Sequence, residues 1–342
     1  MALNLIPSDT NVRFTKMAPI GQVVSFLLVI GSVIAVATLG LNFGIDFRGG
    51  VEIEVAPAQG QVFTEDDLTR VRGAVDELGL GQVSVTTISD LTGGDEFILV
   101  SVERQTAQAE EIVPEETAAD DPTPETTAAE LAQQNAAAQV QEVLREVLGE
   151  GIEFRNVSVV GPTVSGELLR AGITALSIAI GLMLLYIWFR FEWQFSLGAI
   201  TALVHDVILT VGMFAVTQLD FTLSIIAALL TIIGYSMNDT VVVFDRVREN
   251  LRKFKRKPLD EVVDLSINQT LARTIMTSVT TLLALLSLYF LGGEVLRGFS
   301  FAMIWGVVIG TYSSVFIASP VLLRTGVKRN WDKVEGAVPA TP

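Results

Sequence analysis

The chain has no cysteine and one histidine in 342 residues. The first absence excludes disulfides, thiol nucleophiles and cysteine-ligated metals, and the second excludes a conventional multi-histidine metal centre. No Gly-rich loop ending in GK[ST] is present, so ATP hydrolysis by that route is excluded. Neither an HExxH pair nor a nucleophile with its base marks an intramembrane protease. Charge is scarce as well: 18% of residues are charged against 50% hydrophobic. The mean hydropathy of +0.51 is far too high for an ordinary soluble domain of this length, which makes this a membrane protein. The net charge of −15 argues against a nucleic-acid partner. Much of it is local, since between Glu103 and Glu130 nine carboxylates face one arginine, a net of −8. Nothing calls for a metal or cofactor.

Six apolar runs are long enough to cross a bilayer, at about 17–41, 168–189, 195–216, 221–245, 270–291 and 299–323. The polar segment 1–16 carries Arg13 and Lys16 just before the first run. That run is longer than a signal-peptide core of about 15 residues and ends in LNFGIDF without a small-residue cleavage pattern, so it reads as a retained helix. Between the first two spans, 42–167 alternates strand and helix signals: strands at 51–55, 83–88, 97–102 and 152–160, helices at 65–78 and 128–148. The order βαββαβ is that of an α+β, ferredoxin-like domain. The acidic, Pro-containing stretch 103–127 interrupts it without apolar periodicity and reads as a mobile solvated insertion. After the fourth span comes a basic loop, 246–268, with a short amphipathic helix expected from Pro258, and after the sixth a tail, 324–342. With the N-terminus in the cytoplasm, the basic turn at Arg190, the 246–257 cluster and the C-terminus all fall inside, and the α+β domain falls outside the bacterial inner membrane.

The chemistry sits in the apolar runs. GYSMNDTVVVFDRVREN, at 234–250, places Asn238 and Asp239 inside hydrophobic sequence, and in a helix Tyr235, Ser236 and Asp239 share a face. His205 and Asp206 lie about 16 Å into the third span, and Asp239 about 10 Å from the inner end of the fourth. Arg273 opens the fifth span, and Asn238, Thr240, Thr274 and Thr277 are the polar groups that would line a hydrated path or bridge helices. A carboxylate in a span must face protein or water, and an ion or proton pathway is the functional expectation. The structural alternative is an Asp that only joins two helices. The glycines 198, 212, 234, 306 and 310 suit close helix contact.

FGIDFRGG at 43–50, the HD pair at 205–206 and the 234–250 stretch together resemble the SecF family, the smaller subunit of the SecDF complex of bacterial protein translocation within the RND superfamily. The resemblance covers essentially 11–328. It implies a subunit that uses the proton motive force to assist protein export through the SecYEG channel and membrane-protein insertion. The implied partners are SecD, SecYEG, YajC, a YidC-type insertase and the emerging preprotein. It also implies that Asp239 is the proton-pathway carboxylate, Arg273 its charge partner on the fifth span and Asp206 a lesser acidic position. Asp46, Arg48, Gly49 and Gly50 would couple the outer domain to the membrane. An RND exporter of lipid or small molecules and a non-conducting structural subunit are the competing readings.

Overall fold

The structure is a computed structural model and describes residues 10–58, 62–89, 96–103 and 124–327. Among the described residues six helices have the length and composition to cross a membrane. They are α1 (Phe14–Leu39), α5 (Pro162–Arg190), α6 (Trp193–Thr217), α7 (Leu223–Lys253), α8 (Leu259–Leu291), and α9 (Glu294–Ser313) continued through a π turn (Ser314–Ala318) into α10 (Ser319–Thr325). Their burial is uneven. In the most apolar stretches of α6, α7 and α9–α10, 61%, 56% and 61% of residues are buried within the chain, against 22%, 11% and 17% for α1, α5 and α8. The first three form the centre of the bundle, and the others present apolar sides outward.

Lipid tails offer no hydrophobic drive between helices, so close approach of small residues has to supply the packing. A Cβ on Gly212 of α6 would lie 2.2 Å from the Ser32 side chain of α1, and one on Gly306 of α9 would lie 2.3 Å from Ile232 of α7. Gly310 packs against Ser236, and Gly198 admits the Ala318 carbonyl of the π turn. Gly234 differs: it meets nothing within 4 Å and lines an open groove between α5 and α7.

Two expectations about helix ends are corrected. The basic stretch read as a loop is largely helical, because α7 runs on to Lys253 and α8 starts at Leu259 directly after Pro258, leaving 254–258 as the connection. Asn250 donates to Ser266 Oγ and Gln269 Oε1, each at 2.9 Å, which holds both extensions together. The separate amphipathic helix and the fifth span are therefore one helix of 33 residues, about 50 Å long at 1.5 Å per residue. Likewise α4 (Pro124–Leu148) begins within the expected insertion and α5 begins at Pro162, both led by proline, whose fixed φ suits the first turn. Positions 104–123 of the insertion lie outside the described residues, as does the tail from 328.

Between α1 and α5 the chain forms a mixed α/β unit with α2 (Ile45–Arg48), β1 (Gly50–Ala56), α3 (Glu65–Asp76), β2 (Val83–Ser89), β3 (Glu96–Glu103), α4 and β4 (Glu153–Val160). The sheet order is β2-β3-β1-β4, and all neighbours are antiparallel. Val51, Ile53 and Val55 of central β1 are fully buried with Ile98 and Val100 of β3, against Val71 and Val75 of α3 and Val140 and Leu144 of α4. The unit thus has a core independent of the bundle. Helix α3 opens with a capping box: Thr64 Oγ1 accepts from Asp67 N at 3.3 Å, and Asp67 Oδ2 accepts from Thr64 N at 2.9 Å. The Thr64 backbone N–H, with the Thr64 hydroxyl, holds the Asp67 carboxyl below its ordinary pKa.

Gly212→Ala should lower stability by about 1–3 kcal/mol through overpacking against Ser32. The same change at Gly234 should be neutral or gain up to about 1 kcal/mol of helix propensity, both read from thermal unfolding in detergent. Thr64→Ala should cost about 1 kcal/mol at neutral pH. The part of that cost carried by the Thr64 hydroxyl's bond to the Asp67 carboxylate is complete above about pH 4 and, because the folded-state pKa of Asp67 is lowered, is lost as the pH falls through the lowered value. The difference between Thr64→Ala and the parent should therefore shrink in acid melts.

Candidate functional site

Among the described residues two carboxylates are buried in the bundle, Asp206 at 1% and Asp239 at 9% exposure. Hydroxyl groups hold both. Asp206, on α6, places Oδ1 2.9 Å from His205 Nδ1, and its Oδ2 accepts from Ser236 Oγ of α7 at 2.5 Å and Ser313 Oγ of α9 at 2.7 Å. Asp239, on α7, accepts at Oδ1 from Thr274 Oγ1 of α8 at 2.5 Å and at Oδ2 from Ser314 Oγ at 2.6 Å. The two sites meet at consecutive residues, since Ser313 ends α9 and Ser314 opens the π turn. Successive helical residues point about 100° apart, so neighbouring serines can serve carboxylates on two different helices.

The π turn has a local cause. Pro320 lacks the N–H that a regular helix would direct back to the fourth residue before it, and the turn widens just ahead of it. Ser319 Oγ donates to the Ser314 carbonyl at 2.8 Å. The bulged backbone then sits against Gly198 of α6, where a Cβ would come within 2.7 Å of the Ala318 carbonyl oxygen. Such turns inside α-helices occur frequently at functional positions.

His205 is buried, and its Nε2 has no hydrogen-bond partner among the described residues. Its ring lies over Tyr312, centroids 6.3 Å apart. Tyr312 Oη donates to the Gly21 carbonyl at 2.6 Å and lies 3.0 Å from Ser25 Oγ, which ties α9 to α1. Among the described residues no cluster of three His, Asp or Glu side chains is placed to hold a metal ion.

The residues singled out from sequence do not all converge. Ser236 shares a side of α7 with Asp239 yet serves Asp206, because that side fans across two neighbouring helices. Tyr235 Oη reaches Thr281 of α8 at 3.4 Å. Asn238 is exposed and lines, with Met183 and Tyr186 of α5, the groove of about 400 Å³, away from both carboxylates. Thr240 is buried without a hydrogen bond to either, and Thr277 turns back to the Thr274 carbonyl at 2.9 Å. Arg273 is exposed and forms no ion pair with Asp239. Positions 273 and 274 point about 100° apart on α8, and it is Thr274 that faces α7. The direct partners of Asp239 are two hydroxyls, and the Arg273 charge acts on it from beyond ion-pair distance. Missing from the sequence reading were Ser313 and Ser314. Their signal was the run Thr311–Tyr312–Ser313–Ser314, four hydroxyls in succession inside an apolar span, each costly there unless partnered.

Each carboxylate can release or take a proton, and each is surrounded by hydroxyls that can donate or accept. Residues 34–60 match the family described as the SecD/SecF GG motif, and residues 139–328 match the C-terminal family of the protein export membrane proteins SecD and SecF. The protein translocase subunit SecF of Cereibacter sphaeroides is 45% identical over 97% of this chain and 94% of its own length, and that of Rhodobacter capsulatus is 43% identical over 97% and 94%. The chain belongs to the SecF family. Among solved structures, SecDF from Thermus thermophilus, a translocon-associated membrane protein, superposes with a TM-score of 0.73 at 34% identity, covering 94% of this chain. SecDF in a super-membrane-facing form gives 0.62 at 33%, covering 93%. This SecF-family chain spans 39% of each of those longer chains.

Double-mutant cycles on the detergent-solubilised protein should give couplings of about 0.6–1.7 kcal/mol for Ser313→Ala or Ser236→Ala with Asp206→Asn, the range of polar contacts inside membranes. Ser236→Ala with Asp239→Asn should show a smaller coupling, since Ser236 donates to Asp206 and not to Asp239. Unfolding in a denaturing detergent series is the measurement.

Proposed function

We propose that this chain is the proton-driven SecF subunit of a SecDF complex, in which Asp239 binds and releases the proton that powers assistance to protein export and membrane-protein insertion. One observation carries the reading: a buried carboxylate inside a span whose hydrogen-bond partners among the described residues are two hydroxyls. When Asp239 is ionised, both of its oxygens accept. Once it is protonated, one oxygen becomes a donor, and either Thr274 or Ser314 must reverse its role or withdraw. The helices that change partner are α8 and the π turn of the sixth span. A proton falling through about 180 mV releases about 4 kcal/mol, by the scale of 2.3 kcal/mol per 100 mV, enough to shift a two-state packing. Asp206, with His205, Ser236 and Ser313, is the second titratable station on this path.

Arg273, exposed on sparsely buried α8, makes no ion pair with Asp239 but lies close enough for its charge to act on it. A charge in a span needs protein or water beside it, and in this reading the partner SecD supplies that surface. SecYEG, YajC and a YidC-type insertase are the further partners, and the emerging preprotein is the cargo. The basic residues at the α7–α8 corner and before α1 support cytoplasmic termini and an extracytoplasmic α/β unit. The division is then 1–16 inside, 17–41 and 168–323 in and about the membrane, 42–167 outside and 324–342 inside. The antiparallel β2-β3-β1-β4 order and the helix placement support a ferredoxin-like domain.

Asp239→Asn in the assembled complex should abolish proton uptake into sealed vesicles and the part of preprotein translocation that depends on the proton gradient, while Asp206→Asn should reduce both without abolishing them. Proton flux unchanged in Asp239→Asn would refute the proposal.

A further inference from the structure

The segment that leaves α1 does not run freely into the sheet. It is fastened to the outer end of α7, the helix that carries Asp239. Phe43 and Phe221 form a parallel β-bridge, with Gly44 N donating to Phe221 O at 3.0 Å and Phe221 N to Asn42 O at 2.7 Å. Asn42 Nδ2 donates to Asp220 Oδ1 at 2.7 Å and to Gln218 O at 3.1 Å. The rings of Phe43, Phe47 and Phe214 gather round Phe221 with centroids 5.7–6.2 Å away. Gly44 is needed for this approach, since a Cβ there would lie 2.9 Å from Thr222 Cγ2.

The decisive contact is Asp46. The first N–H groups of a helix have no partner inside the helix, and a side chain at the preceding position normally supplies one. Thr222 holds that position in α7 and makes no such bond. Instead Asp46 Oδ2 accepts from Leu223 N at 2.8 Å, from 177 residues earlier in the chain. Directly after α2 come Gly49 and Gly50, with φ of 76° and 140°, and Gly50 opens β1, a strand paired on both sides within the sheet. From Leu223 to Asp239 the helix is unbroken and about 24 Å long.

We infer that Asp46 is the coupling residue of the subunit: it caps the Asp239 helix from outside and transmits that helix's displacement to β1 across a Gly49–Gly50 pivot. The inference rests on the proposed proton site. A rigid helix moves at its outer end when it repacks at its inner end, and the cap converts that motion into a pull on the strand at the centre of the domain. The glycines, free to adopt positive φ, turn the pull into a rotation rather than a distortion of the sheet. Asp46 touches neither carboxylate, so its loss separates proton movement from work.

The test uses the assembled complex in sealed membrane vesicles, with proton flux and gradient-driven preprotein translocation measured on the same preparation. Asp46→Ala should leave flux at the parent level and lower the gradient-driven component of translocation at least about fivefold, the lower end of typical coupling strengths. Asp46→Asn, which keeps an acceptor oxygen, should restore most of it. Retained translocation in Asp46→Ala overturns the inference, and so does loss of flux together with translocation, which marks Asp46 as merely structural. A second readout does not involve protons. The chain has no cysteine, so spin labels at Asn156→Cys on β4 and Val216→Cys at the end of α6 report how the domain sits on the bundle. Asp46→Ala should broaden the distance distribution between them, and an unchanged distribution overturns the inference. Flux that persists in Asp239→Asn refutes the proton site alone and leaves the spin-label result to decide the cap.

Discussion

A carboxylate cannot remain in the apolar interior of a helix bundle unless neighbouring groups meet its oxygens, and this chain carries two. The way they are met organises the bundle. Ser236 and Ser313 converge on Asp206, and Thr274 and Ser314 on Asp239, so α6, α7, α8 and the sixth span are each held by at least one of these bonds. Hydroxyls suit this duty because they donate or accept according to the protonation of their partner, whereas a lysine or arginine can only donate. The close approach that the bonds require explains the glycines. Gly310 lets α9 settle against Ser236, and Gly198 lets α6 accept the bulged backbone beyond Ser314. The π turn adds a link between the two sites. It is a wide, locally irregular element whose first residue bonds one carboxylate while its immediate neighbour bonds the other, so the two cannot change state in complete independence.

How much of this was legible beforehand depended on the range of the interaction. The apolar runs, the alternating strands and the buried Asp residues are local patterns, and hydropathy with period-two or period-3.6 spacing reveals them. What failed depended on which side of a helix faces which neighbour. Asp239 and Ser236 share a side, but they serve different sites because Ser236 meets α6 while Asp239 meets α8 and the π turn. Thr274 and Arg273 are adjacent, and only packing decides that the hydroxyl rather than the cation turns inward. The capping of α7 by Asp46 was beyond any local rule, since the usual position, Thr222, holds a residue that could have done it.

The uneven burial of the six helices fits a subunit built to be completed by others. α1, α5 and α8 leave most of their apolar surface uncovered within the chain, and in the two SecDF structures compared above this chain spans 39% of the whole. The open groove at Gly234 and Asn238 lies on the same uncovered side of α7, next to α5.

The fastening between Asp46 and Leu223 also constrains how the molecule is made. The two residues are 177 apart in sequence, and at synthesis rates of about 5–20 residues per second the second emerges roughly 10–35 s after the first. During that interval the α/β unit, which has a core of its own, can fold while the helix that will hold it does not yet exist. The domain is therefore assembled as a free body and moored afterwards, and errors in its final placement arise late, at the insertion of the fourth span.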